Sequence, residues 1–173
     1  MARGFTQIPG VDFTESFSPV VNEVTLRTLL SVTAHLNLDL KQADVSNAFL
    51  NALLSEPTYI ELPDGYEDKT TNTKCLKLNK AVYGLVQTSL SWYKKLQHTL
   101  STLMHFKQSK ADPCLFTRKV NGSMQYIITY NDDLLFTARQ GEAQRIINKF
   151  SKFYEIKDLG NASTYLGSQF ERD

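Results

Sequence analysis

The chain is short of the residues that mark several protein classes. Cysteine occurs twice in 173 residues, at Cys75 and Cys114, too few and too far apart for a disulfide framework or a zinc ribbon. Each cysteine lies in a strand-like run, which predicts a buried, reduced thiol. The three histidines, His35, His98 and His105, form no metal or triad pattern, and the latter two fall on a predicted helix. No apolar run approaches the ~20 residues that span a bilayer, and no signal or transit segment is present. These absences predict an intracellular chain, cytoplasmic or nuclear, with no membrane partner. The sequons at Asn121 and Asn161 are then expected to stay unmodified. Phosphate-binding glycine loops, dinucleotide fingerprints and nucleophile elbows are also missing. Charge of either sign is not in excess: 19 Lys and Arg face 18 Asp and Glu, for a net charge of +1. Nucleic-acid binding would therefore rest on local clusters such as Lys94-Lys95 and Lys107 with Lys110.

What is present suits one compact domain. At this length a chain buries roughly two thirds of its unfolded surface, enough for a true core. No internal repeat or low-complexity tract interrupts it. Helical spacing of Leu26, Leu29, Leu30 and Ala34 predicts a helix over 24–36. A longer helix is predicted over 89–104, with Tyr93, Leu96, Leu100 and Leu103 on one stripe, and another over 142–153, with Ile146, Ile147, Phe150 and Phe153 facing inward. Strands are predicted over 58–62, 74–78 and 114–118, the last turning through Asn121-Gly122 into the next strand. A charged, Thr-rich loop over 64–74 is the segment expected to be most mobile. Together these elements predict an α+β fold, an antiparallel sheet with helices packed on one face.

Acidic residues carry the chemistry. In 126–137, two β-prone runs flank Asn131-Asp132-Asp133, so two adjacent carboxylates sit at a turn held from both sides. Turn chemistry alone would explain an Asn-Asp-Asp tip. Adjacent carboxylates repel, however, and a cation between them relieves that cost. A third acid strengthens the case for a cation. The alternation in 38–45 predicts a half-buried strand with Asp44 near its end, followed by Ser46-Asn47-Ala48-Phe49-Leu50, suited to a helix cap and first turn. A helix-start acid, favoured by the helix dipole, is the plainer account of Asp44. Three carboxylates would suit Mg²⁺, a hard ion that binds one or two carboxylates and completes its shell with phosphates and water. Two such ions would serve an in-line nucleotidyl transfer, with Mn²⁺ as a substitute.

Five ordered blocks give the acids a context: 42–50, 80–85 running on to Trp92-Tyr93, 109–112, 130–133, and 157–160 running on to Tyr165-Leu166-Gly167. In this order the chain resembles the copia-type retrotransposon reverse transcriptase along nearly its whole length. The resemblance implies an RNA-directed DNA polymerase with a polymerase palm-like sheet and partial fingers. It implies one fingers/palm domain over 1–173, ending before the thumb, with a fingers-like part at about 1–40 and 50–88 and a palm at about 38–50 and 89–173. Asp44, Asp132 and Asp133 would be the catalytic, metal-binding acids. Val45, Phe49, Tyr83 and Gly84 would bind the nucleotide, with the Phe49 ring excluding a 2′ hydroxyl. Tyr130, Asn131, Tyr165, Leu166 and Gly167 would contact the primer, the last three in a strand with a central glycine. The implied partners are an RNA template with a DNA primer, deoxynucleoside triphosphates, and other Pol polyprotein domains such as integrase and ribonuclease H, in retrotransposon particles. The chain departs from the family at Val86 and Leu90, where relatives commonly carry basic residues, and at Asn131, where they carry a hydrophobic one. Those departures leave open a catalytically inactive, transposon-derived module that binds RNA or protein.

Overall fold

The computed structural model describes residues 2–63, 65–66 and 75–171. The loop over 64–74, expected to be the most mobile, lies outside them apart from Gly65 and Tyr66. In chain order the described residues form α1 (Glu23–His35), β1 (Asp39–Val45), β2 (Leu53–Glu61), β3 (Cys75–Lys80), α2 (Thr88–His98), β4 (Lys107–Gln108) and β5 (Leu115–Val120). There follow β6 (Ser123–Tyr130), β7 (Asp133–Ala138), α3 (Glu142–Phe150), β8 (Ile156–Asn161), β9 (Thr164–Tyr165) and β10 (Ser168–Gln169). The fold is α+β, as the sequence predicts, with antiparallel pairing throughout the named strands. The chain divides into two compact units, 1–18 with 48–95, and 19–47 with 96–173.

The second unit is built on a six-stranded sheet in the order β4-β5-β6-β7-β1-β8. α1 starts at Asn22, whose side chain accepts the Val24 N–H at 2.8 Å and so satisfies a donor that the helix leaves open. The sequence grouping placed 1–40 with a fingers-like part, but α1 belongs to this unit: Leu26 and Leu29 form one buried cluster with Ile128, Leu135 and Tyr165. α3 covers the opposite face. Phe136, next to Leu135 along β7, meets Phe150 of α3 with ring centroids 6.1 Å apart, and neighbouring strand residues point to opposite faces. The helices therefore do not share one face as predicted. Leu134, Leu135 and Phe136 are all fully buried, and an unbroken apolar run of this kind requires cover on both sides.

Three further expectations are corrected. The helix predicted over 89–104 stops at His98 and passes into a π turn, Thr99–Leu103, in which the Met104 N–H bonds the Thr99 carbonyl at 3.0 Å. The wider turn moves the inward position from Leu103, 42% exposed, to Met104, fully buried. The predicted helix over 142–153 ends at Phe150, and the chain then tightens so that Tyr154 is buried beside Phe150 while Phe153 is exposed. Gly167 sits in the turn between β9 and β10 and not within a strand, with φ of +76° after Leu166 at +49°.

The first unit holds the two-stranded β2–β3 sheet and residues 88–95 of α2. Cys114 is buried as expected and its thiol is pushed up to about 11, first by burial and then by Asp112. Cys75 is exposed, because a strand of a two-stranded sheet can leave both faces open. After β1, Asn47 adopts a left-handed turn conformation with φ of +50°, and the short 3-10 turn Ala48–Asn51 follows where the sequence suggested a helix start. A Cβ on Gly4 would collide with the Gly84 carbonyl, to which the Gly4 N–H donates at 2.9 Å.

The corrected end of α3 is testable by denaturant unfolding. Phe150→Ala should cost about 3–5 kcal/mol, as for other buried aromatics. Phe153→Ala should stay within about 0.5 kcal/mol of wild type.

Candidate active site

Strand pairing brings the acids of the second unit together. β6 and β7 form a hairpin through Asn131-Asp132, with Tyr130 opposite Asp133, and Asn131 supplies the left-handed φ of +50° that the tight turn needs. β1 lies on the other side of β7 in a register that sets Asp44 opposite Asp133. One backbone bond closes the corner: the Val45 N–H donates to the Asp132 carbonyl at 2.9 Å. Asp44 and Asp133 share the face that carries Leu135 and α1, following the alternation along both strands.

The electrostatics match this crowding. Burial raises the Asp44 carboxyl above its ordinary range and the Asp132 charge adds to the effect, while Lys157, opposite Asp44 on β8, works against it. Asp133 is likewise raised by burial, with smaller contributions from Asp132 and Asp44. Gln42, two residues before Asp44, donates to Asp133 at 3.5 Å and opposes the rise. Among the described residues no three Asp, Glu, His or Cys side chains are already gathered so as to hold a metal ion. The donor set nonetheless fits a hard divalent cation: three carboxylate oxygen donors, coupled by charge, whose mutual repulsion a cation would relieve.

The residues expected to contact the primer differ in accessibility. Leu166 and Gly167 are exposed at the β9–β10 turn. Tyr165 is 2% exposed and belongs to the core cluster, and its hydroxyl donates to the Asp133 carbonyl at 3.3 Å. Its ring thus braces the acidic hairpin from within, and its phenol is pushed far up by burial, with Asp133 adding to the shift.

Phe49, Tyr83 and Gly84 lie in the first unit. The Phe49 and Tyr83 rings touch, with centroids 4.6 Å apart and planes inclined by 53°, a favourable tilted arrangement. Gly84 holds φ of +98°, a conformation that glycine adopts without strain. The N-terminal segment grips this loop. The Ala2 N–H donates to the Tyr83 carbonyl at 2.8 Å, and Gln7 accepts from the Val86 N–H at 2.8 Å while donating to Gln87 at 3.0 Å. Gln7, Gln42, Gln87 and Lys157 were not singled out from sequence. Gln42 and Lys157 lie inside the ordered blocks, which was the one signal available for them.

The family model described as reverse transcriptase (RNA-dependent DNA polymerase) matches residues 1–173. The chain belongs to the reverse transcriptase family. Its relatives include the retrovirus-related Pol polyprotein from transposon TNT 1-94 of Nicotiana tabacum, 35% identical over 175 residues, a match covering 100% of this chain and 13% of that protein. The corresponding polyprotein from transposon RE1 of Arabidopsis thaliana is 34% identical over 99% of this chain and 12% of its own length. The Ty1-BL Gag-Pol polyprotein of Saccharomyces cerevisiae is 29% identical over 91% of this chain and 9% of its own. This reverse transcriptase chain thus spans about an eighth of the first two relatives. The resemblance to the copia-type enzymes is borne out. No solved structure gives a significant match.

The raised acids predict a pH effect in chelator. A folded-state pKa above the unfolded one means that the folded chain binds more protons in the carboxylate range, so stability falls as pH rises through the folded pKa. Asp133→Asn should therefore melt higher than wild type near neutral pH, and the difference should vanish below about pH 3, where the carboxyl is protonated in the folded and the unfolded chain alike. A thermal melt series over pH checks this.

Proposed function

We propose that this reverse transcriptase chain carries an RNA-directed DNA polymerase site that extends a DNA primer on an RNA template by two-metal nucleotidyl transfer. The observation that carries the reading is the register that sets Asp44 against Asp133 beside Asp132. Asp44, Asp132 and Asp133 would hold Mg²⁺ or Mn²⁺. When bound, such ions activate the primer hydroxyl and neutralise the triphosphate charge that develops during in-line transfer. Within the chain, Gln42 steadies the Asp133 carboxylate and Lys157 offsets the charge on Asp44.

Val45 anchors the Asp132 backbone, while Phe49, against Tyr83 and next to Gly84, would bar a 2′ hydroxyl by steric clash. Tyr130, Asn131, Leu166 and Gly167 would meet the primer, with Tyr165 supporting them from the core. The six-stranded sheet would be the palm and the β2–β3 unit part of the fingers. The chain would act inside the cell beside other Pol polyprotein domains, including integrase and ribonuclease H.

One observation favours a second reading, a non-catalytic module that binds RNA or protein. Val86 and Leu90 are apolar at positions where the resembling enzymes commonly carry basic residues, and Lys94 is paired with Glu15 at 2.9 Å.

Primer extension on an RNA template separates the two readings. Asp132→Asn should lower incorporation by more than about 100-fold, beyond the loss expected for an outer-shell partner; equal rates would remove the polymerase reading. Phe49→Ala should raise ribonucleotide use relative to deoxynucleotide by about tenfold or more. Mg²⁺ should raise the melting temperature of wild type and not of Asp44→Ala, since a ligand stabilises only the state that binds it.

A further inference from the structure

The outward side of α3 is a cationic stripe that the polymerase reading does not use. α3 buries Ala143, Ile146, Ile147 and Phe150 against the sheet face that carries Phe136. Arg145 and Lys149, at i and i+4, are exposed on its other side, and Lys152 follows in the next turn, also exposed. This face lies across the sheet from Asp44 and Asp133. Like charges at i and i+4 weaken a helix unless an anion screens them. The helix dipole accounts for cations near the last turn, Lys149 and Lys152, but not for Arg145 in the middle.

Two of the nearby carboxylates take neutral donors. Glu142 accepts from Gln125 at 3.2 Å, and Asp158 accepts from Gln144 at 2.6 Å and from the Gly160 N–H at 2.9 Å. Among the described residues the ion pairs found, Arg27 with Glu23 and Lys94 with Glu15, do not include the stripe. A row of exposed cations along one helix face offers charge complementary to a phosphate backbone. We propose that Arg145, Lys149 and Lys152 bind the phosphates of a single-stranded RNA segment on the side of the sheet opposite the acids. The contact is sequence-independent and distinct from the primer-template path.

Fluorescence anisotropy of the whole chain with a labelled 20-nucleotide RNA, without primer, nucleotide or metal, over about 50–200 mM salt tests the proposal. The triple variant Arg145→Gln, Lys149→Gln, Lys152→Gln should bind at least tenfold more weakly. Its log affinity should fall less steeply with log salt, by about two units, at about 0.7 per lost contact. Arg145→Gln alone should remove about 0.7 of that slope and guards against a folding defect in the triple variant. The assay needs neither metal nor nucleotide, so failure of the polymerase reading leaves this test intact. Unchanged slope in the triple variant would overturn the proposal. So would an equal loss in Lys107→Gln, Lys110→Gln, Lys119→Gln, which removes the same charge elsewhere, or binding of polyglutamate in preference to RNA.

Discussion

The register between β1 and β7 is the constraint on which the rest of the structure depends. Asp44 faces Asp133 only because Ala43 faces Leu134 and Gln42 faces Leu135 along the same ladder. A slip of one residue would turn Asp44 to the other face and bring Ala43, fully buried, to the acidic side. Hydrophobic burial opposes that slip, since Leu134, Leu135 and Phe136 are enclosed on both faces of β7. Core packing and the placement of the two carboxylates are thus one constraint and not two.

Burial at this corner also creates an electrostatic cost. Asp44 and Asp133 are each raised by desolvation and by neighbouring carboxylates, and the opposing influences of Lys157 and Gln42 do not cancel the rise. A site that is uncomfortable without a counter-charge is one that a divalent ion can stabilise, which links the stability of the hairpin to the chemistry proposed for it. Tyr165 reinforces the arrangement from below by joining the core and the Asp133 carbonyl. In the first unit, the Phe49 and Tyr83 pair depends on main-chain and glutamine bonds from the N-terminal segment. Residues far along the chain therefore shape that loop without carrying chemistry themselves.

Covering both faces of the central sheet separates two kinds of charge. The acids share a face with α1, whereas α3 on the other face turns its cations outward. A sheet covered on one side only would have left no scaffold for that stripe.

Local chemistry accounts for what could be read in advance. The Asn131-Asp132 turn, the Asn121-Gly122 hairpin, α1 and the strand that carries Asp44 near its end all follow from residues within a few positions of one another. Their propensities act before any tertiary contact forms. The π turn after His98, the burial of Tyr154 in place of Phe153, the exposure of Cys75 and the two-sided cover of the sheet were not readable, because each depends on which partner packs against the segment. Sequence alone determined the kinds of element and supplied three acids of suitable chemistry. Only the tertiary structure decided that Asp44 comes opposite Asp133, since the two lie on separate strands and strand register is set by the packing of both faces.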